Sequence, residues 1–187
     1  GDAPNVLVAM NPAALKADIH RLEQNGLLIV NSDAFQARDL EKAGYDHNPL
    51  EGDELSSFRV VEVPMTSLTQ KATEPLGVKP RDSERSKNFF ALGMVSWLYS
   101  RPTEPTVEWI EKRFKDLVKA SNLAAFTAGY HFGETSELFD HPYEVAPAAL
   151  RSRTDEFLGA RAGRVALRAQ ALSRVRAAAA TAARAGR

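Results

Sequence analysis

Three short apolar runs in this chain each end in side chains able to hold hydrogen bonds. Residues 6–10 run into Asn11-Pro12, residues 27–30 into Asn31-Ser32-Asp33, and residues 58–63 into Pro64-Met65-Thr66-Ser67. In open α/β sheets, ligands gather at the carboxyl ends of strands. A helix that starts there leaves backbone N–H groups free, which suits an anionic group such as a phosphate. Asn11 is placed to start one helix, and Thr66 or Ser67 to start another. The plainer alternative is that Asn11 and Thr66 cap their helices and do nothing more. Lys87-Asn88 opens a later apolar segment, where a polar entry and cap is again the plain reading.

Other chemistry is poorly supported. The chain has neither G-x-G-x-x-G nor G-x-x-x-x-G-K-[ST], the loops that cradle phosphates. It also lacks G-x-S-x-G and H-E-x-x-H. His20, His47, His131 and His141 are scattered without metal-ligand spacing. His131 and His141 flank Glu134, Glu137 and Asp140, where a solvated turn is the simpler expectation, and no metal site is assigned. With no cysteine there is no disulfide, zinc-thiolate, cysteine nucleophile or iron–sulfur ligand. By chemistry alone the chain names no reaction and reads as an α/β module that binds something.

The elements that position these residues are legible in outline. Residues 6–10 suit a strand buried on both faces, as in a parallel sheet. Asn11 is a good cap and Pro12 a good first helical residue. Leu15, Ile19 and Leu22 then share one helical face, and Asn25-Gly26 ends the helix before the strand 27–30. Strand, helix and strand make a βαβ unit. A short helix is expected within 34–43, a third strand over 58–63, a short helix through Thr73, and an exposed connection over 74–86. Residues 88–99 are apolar nearly all round, as in a buried helix. Thr103 and Thr106 are alternative caps for a helix with the stripe Val107, Ile110, Phe114, Leu117 and Val118; Ser121-Asn122 interrupts it. A small-residue helix follows over 123–132, with Ala124, Ala128 and Gly129 permitting close packing. The total is two to three strands and four to five helices. So few near-continuous apolar strands leave a parallel sheet short of neighbours, so further strands are expected upstream of Gly1.

Length and charge complete the outline. The 187 residues allow one domain, or one domain with an appendage. No apolar run approaches the ~18 residues of a membrane span and no secretory leader opens the chain, so a soluble, cytoplasmic protein is expected. The start at Gly1 suggests processing, or a piece of something longer. The 24 basic and 24 acidic residues cancel only overall. Residues 151–187 hold nine arginines against Asp155 and Glu156, leaving 15 basic against 22 acidic residues in 1–150. Such a tail could form a nucleic-acid or acidic-surface arm. With no aromatic residue beyond Phe157 to stack on bases, an inert Ala/Arg extension, helical or disordered, is expected over 148–187 instead.

Five segments in order resemble the γ-type domain of 2-oxoacid:ferredoxin oxidoreductases, as fused in the α subunit acting on 2-oxoglutarate. Asp2 to Asn11 with Ala14-Leu15 is similar to the family's D-x-L-V-A-x-N…A-L, and Gly26 to Asn31 to its G-x-L-I-x-N. Val63 to Thr66 resembles V-P-x-T, Lys87 to Gly93 resembles K-N-x-x-A-L-G, and Asn122 to Tyr130 resembles N-x-x-A-x-x-x-G-Y. The resemblance spans residues 2–147. It implies an incomplete Rossmann-like parallel sheet flanked by helices, in a domain (1–147) lacking its N-terminal part. It also implies a role in oxidative decarboxylation of a 2-oxoacid to an acyl-CoA, with electrons passed to ferredoxin. Thiamine diphosphate, magnesium and an iron–sulfur cluster would sit mainly on a partner β subunit, with CoA completing the holoenzyme and no cofactor bound by this chain alone. Asn11, Asn31, Thr66, Lys87 and Asn88 are the near-site polar groups it implies, and Lys87 alone has a charge suited to a CoA phosphate.

Two departures stand beside the resemblance. The Gly-rich opening turn of the family domain is absent, and so is the Tyr-Pro-x-Thr-Pro motif expected after Pro147. A shifted reading frame or premature end near residue 150 would account for the second. The competing reading is a non-catalytic α/β interaction module with a basic tail for an acidic partner or nucleic acid.

Overall fold

A computed structural model of the chain describes residues 3–144 apart from 137, 140 and 141, so the expectations for the Ala/Arg tail, Glu137, Asp140 and His141 lie outside the described residues. Strand β1 (Val6–Ala9) leads into α1 (Pro12–Asp18), a 3-10 turn (Ile19–Arg21) and β2 (Leu27–Asn31). The start works as the side chains dictate, but the α-helix ends at Asp18 and tightens into the 3-10 turn, with Leu22 already extended, rather than running on to Asn25-Gly26. Asn11 Oδ1 accepts the Ala14 N–H at 2.8 Å, and Pro12 is buried at the first helical position. Asn25 takes the left-handed conformation (φ 61°) and donates its N–H to Ser57 at 2.9 Å, turning the chain into β2.

After a 3-10 turn (Ser32–Ala34) and α2 (Ala37–Lys42), the chain returns in β3 (Arg59–Val63). The strands are parallel in the order β1-β2-β3, with Val6 opposite Leu27 and Leu27 opposite Arg59. This open parallel sheet flanked by helices is the α/β architecture anticipated above. Two crossovers of one hand in such an order must lie on one face. Accordingly Leu15 of α1 and Leu40 of α2 share a core with Leu28 and Val30 of β2. The opposite face, formed by Leu27, Ile29, Val61 and Val63, packs on later helices through Met65, Phe90, Met94 and Leu98. Fully burying side chains of this size contributes about 1.5–3 kcal/mol each. Burial on both faces holds for β2 throughout; β3 instead alternates, with Arg59, Val60 and Glu62 exposed. An outer strand covered on one face has no use for a continuous apolar run.

The C-terminal half departs further from expectation. Seven α-helices occur among the described residues, because the stretch 74–86 is not an exposed connection. Beyond α3 (Met65–Thr73) it forms a 3-10 turn (Glu74–Leu76), α4 (Pro80–Ser83) and another 3-10 turn (Glu84–Ser86). Its inner face is polar: Ser83 pairs with Thr73 at 2.6 Å and Ser86 with Ser121 at 2.8 Å, all four buried. Helix α5 (Lys87–Leu98) matches the expected buried helix, except that Leu92 is exposed. Helix α6 (Glu104–Arg113) begins after Thr103, so Thr106 lies inside it. Ser121-Asn122 does not interrupt the final helix: α7 (Asp116–Thr135) runs through both, and the break falls at Phe114 and Lys115. There Lys115 is extended and Asp116 sits at φ 47°.

Helices α5 and α7 cross at two glycines. A Cβ on Gly93 would lie 2.0 Å from the Phe126 carbonyl oxygen, and one on Gly129 would lie 1.9 Å from that of Phe90. The backbones touch, so only glycine fits at either position. Gly129 was anticipated as a close-packing residue; its counterpart Gly93 was not. No helix among the described residues is long and apolar enough to cross a membrane.

Candidate functional site

The carboxyl ends of the three strands open onto a cleft of about 410 Å³. Asn11, Asp33, Thr66 and Lys87 line it together with Asp39, Lys42 and Glu84. Three of the five sequence-derived candidates therefore meet in one place, Asn11 and Thr66 through the shared direction of the parallel strands and Lys87 at the start of α5. Asn88 stands on an adjoining shelf with Arg81, Arg85 and Lys87.

Asn31 lies beneath the cleft, fully buried, and its polar atoms are committed to the fold. Its Oδ1 accepts the Met65 N–H at 3.1 Å, and its Nδ2 donates to Thr66 Oγ1 at 3.1 Å and to the Met10 carbonyl at 3.5 Å. One amide thus ties the ends of all three strands. Its depth, with no room for a ligand between these partners, makes it a positioning group.

Helix α3 has no capping side chain of its own; Pro64 precedes it and Thr66 is inside it, which corrects the assignment of Thr66 or Ser67 as cap. The cap comes across the sheet. Asp33 Oδ2 accepts the Ser67 N–H at 2.7 Å and Oδ1 accepts the Ser67 hydroxyl at 2.9 Å. A carboxylate therefore already occupies the position where a helix start would receive a phosphate. Sequence reasoning placed Asp33 at a strand end without seeing this role. Aspartate two residues past a buried strand asparagine is too common a pattern to reveal it.

The two cations of the cleft are also paired. Lys87 Nζ lies 3.0 Å from Glu84, with a quarter of its side chain exposed, and Lys42 lies 3.1 Å from Asp39. Asp33, Asp39 and Glu84 leave the cleft with one more carboxylate than it has lysines. Such exposed pairs are worth roughly 0–1 kcal/mol, so exchange of Glu84 for another anion at Lys87 costs little.

The residues present do not by themselves fit the metal groups that the resemblance implies. The chain has no cysteine to ligate an iron–sulfur cluster. Among the described residues no three His, Asp or Glu side chains are grouped to share a metal ion. His47 pairs with Glu54 at 2.5 Å and His131 with Glu134 at 3.0 Å, both on the surface.

Comparison with known proteins follows the same line. The model of the pyruvate ferredoxin/flavodoxin oxidoreductase family matches residues 1–132. The 2-oxoglutarate oxidoreductase subunit KorA of Mycobacterium tuberculosis is 49% identical over 152 residues, which cover 80% of this chain and 23% of that protein. The chain thus spans about a quarter of this relative's length. Among solved structures, a 2-oxoglutarate:ferredoxin oxidoreductase from Magnetococcus marinus, with 2-oxoglutarate, coenzyme A and succinyl-CoA bound, superposes with a TM-score of 0.55. That match has 23% identity and covers 78% of this chain and 22% of the other, a likeness of fold. A keto/oxoacid ferredoxin oxidoreductase γ subunit from Geobacter sulfurreducens gives a TM-score of 0.49 at 16% identity, over 71% of this chain and 65% of that one. The family is the one that the five ordered segments resemble, and the chain belongs to the pyruvate ferredoxin/flavodoxin oxidoreductase family.

Proposed function

We propose that this chain is a γ-type domain of a 2-oxoacid:ferredoxin oxidoreductase subunit, with 2-oxoglutarate as the substrate of the complex. The observation that carries this reading is the 49% identity to the KorA subunit across 80% of the chain. The complex oxidises a 2-oxoacid to an acyl-CoA with loss of CO2 and passes the electrons to ferredoxin. Thiamine diphosphate, magnesium and the iron–sulfur cluster belong to a partner β subunit in this reading, in keeping with a chain that has no cysteine. The cytoplasm is its proposed compartment.

The chain's own part is to wall and position. Asn11, Thr66 and Lys87 face the cleft, Asn31 holds the strand ends beneath it, and Asn88 extends the polar surface beside it. Lys87 is the group assigned to a CoA phosphate, which would replace Glu84 as its anion. The test is co-expression with the thiamine-dependent subunit, followed by titration with CoA. The reading expects a stable complex whose CoA affinity falls about three- to tenfold in Lys87→Ala, the scale of a charge-assisted contact partly open to water. A partner that does not co-purify overturns the reading; an unchanged CoA affinity removes Lys87 from it.

A further inference from the structure

One wall of the strand-end cleft is held differently from the others. It is the stretch 77–86, which runs through α4 and the 3-10 turn Glu84–Ser86 into α5. Glu84, and Lys87 just beyond it, line the cleft. Positions 84 and 87 share one flank of this helical stretch, while 82, 85, 86 and 89 fall on the opposite flank. That second flank borders another cleft, of about 470 Å³, lined also by Val78 and Phe114. With open space on both flanks, the stretch depends on its inner face for support. Of residues 77–86 only Ser83 and Ser86 are buried, and Val78 is half-buried. None of them is a member of either apolar core.

The fastening on that inner face is made of hydroxyls. Thr73 Oγ1 donates to the Thr69 carbonyl at 3.0 Å, so the Ser83 hydroxyl, 2.6 Å away, is the donor to Thr73. At the downstream end Ser86 donates to Asn122 Oδ1 at 2.7 Å and accepts from Ser121 at 2.8 Å. Main-chain bonds stay local: the Asp82 and Ser83 N–H groups both go to the Lys79 carbonyl, and that of Lys87 goes to Glu84. A hydroxyl pair that opens is largely replaced by bonds to water, whereas parting an apolar contact exposes surface that water penalises. Segments with few buried apolar contacts therefore open most readily. The upstream end supplies a pivot. Gly77 sits at φ 69°, a left-handed value suited to glycine, and an added Cβ there meets nothing within 4 Å.

We propose that residues 78–85 are a lid on the strand-end cleft, pivoting at Gly77, pinned at Ser86 and latched in the middle by Ser83 on Thr73. When the latch parts, Glu84 is carried off Lys87 and the cleft widens to admit or release its ligand. When it closes, the wall is restored and the ligand is retained. The inference rests on the CoA assignment for the identity of the ligand, and on the chain's own packing for the motion.

The experiment uses the full chain co-expressed with the thiamine-dependent subunit. Hydrogen exchange of the 78–85 amides is expected to run about tenfold faster than that of the α5 interior, and to slow when CoA is bound. Ser83→Ala removes the latch without stranding a donor, and is expected to raise this exchange and the CoA dissociation rate about fivefold. Thr73→Cys with Ser83→Cys replaces the latch by a disulfide, the chain having no other cysteine. Once oxidised, this double variant is expected to bind and release CoA about tenfold more slowly. Reductant restores both rates, a reversal that a merely structural defect does not give. Exchange at 78–85 as slow as in α5, or CoA rates unmoved by either change, overturns the lid and leaves the oxidoreductase reading intact. If the two cysteines do not join, unchanged rates in Ser83→Ala suffice to overturn it. A complex that binds no CoA overturns the CoA assignment, and the lid then stands or falls on hydrogen exchange.

Discussion

The carboxylate of Asp33 holds Ser67 twice, accepting its backbone N–H at 2.7 Å and its hydroxyl at 2.9 Å. One strand end thereby supplies the cap for the helix that follows the next strand. Asp33→Ala leaves the Ser67 N–H without this partner and is expected to cost about 0.5–2 kcal/mol, the range for a lost cap. Urea unfolding of the purified chain measures it, and a wild-type midpoint would show that the cap is unimportant.

Asn31 is expected to be less tolerant, because its amide bonds both ways under complete burial. Asn31→Ala strands the buried Met65 N–H, at about 1–3 kcal/mol. Asn31→Asp keeps the shape but turns the donor to Thr66 and Met10 into an acceptor, so it should be the more destabilising of the two. Equal unfolding midpoints for the two variants would contradict this account of the strand ends.

The helix crossing gives a steric prediction with an internal control. Gly93→Ala and Gly129→Ala each drive a methyl group into a facing carbonyl that belongs to backbone and cannot swing away. Overpacking of this kind costs about 1–3 kcal/mol, and more where the two helices cannot separate. Gly52→Ala, with nothing within 4 Å of the added carbon, should leave the melting temperature almost unmoved. Thermal melts of the three variants suffice, and similar losses in all would dissociate the effect from the crossing.

Alkaline pH should loosen the contact between Tyr99 and Tyr143, whose rings stack 5.3 Å apart. Burial first, and the Tyr143 charge second, raise the Tyr99 hydroxyl above its usual value of 10.0. The folded state then holds its proton after the unfolded state has lost it. Stability is therefore level below pH 10 and falls as pH rises beyond it. Melting temperatures from pH 8 upward should fall less steeply at the alkaline end for Tyr99→Phe than for the parent; identical slopes would show that Tyr99 is not involved.

Much of the N-terminal half was legible because its signals are local. Asn11-Pro12 starts α1 by its own backbone preference and the left-handed Asn25 turns the chain into β2, although the α-helix itself ends at Asp18, and the apolar runs on either side become strands. The C-terminal half was harder to read where burial is not apolar. Helix α4 turns Ser83 inward onto Thr73, and Ser86 after it meets Ser121, so hydrophobic periodicity reads a helical stretch as an exposed loop. The break before α7 sits at Asp116, while the small polar pair Ser121-Asn122, which looked like an interruption, is buried in mid-helix. The cleft was partly legible through the strand ends. The Asp33 clasp joins residues 34 apart, which no local spacing encodes, whereas the Glu84 pairing of Lys87 has i,i+3 spacing and was hidden only because 74–86 reads as an exposed connection.

Co-purification of the full 187-residue chain with the thiamine-dependent subunit, each also assayed alone for CoA-dependent turnover of 2-oxoglutarate, tests the central claim most directly. The account predicts a stoichiometric complex and no turnover by the isolated chain. Turnover by the chain without a partner, or a partner that passes through unretained, would contradict it.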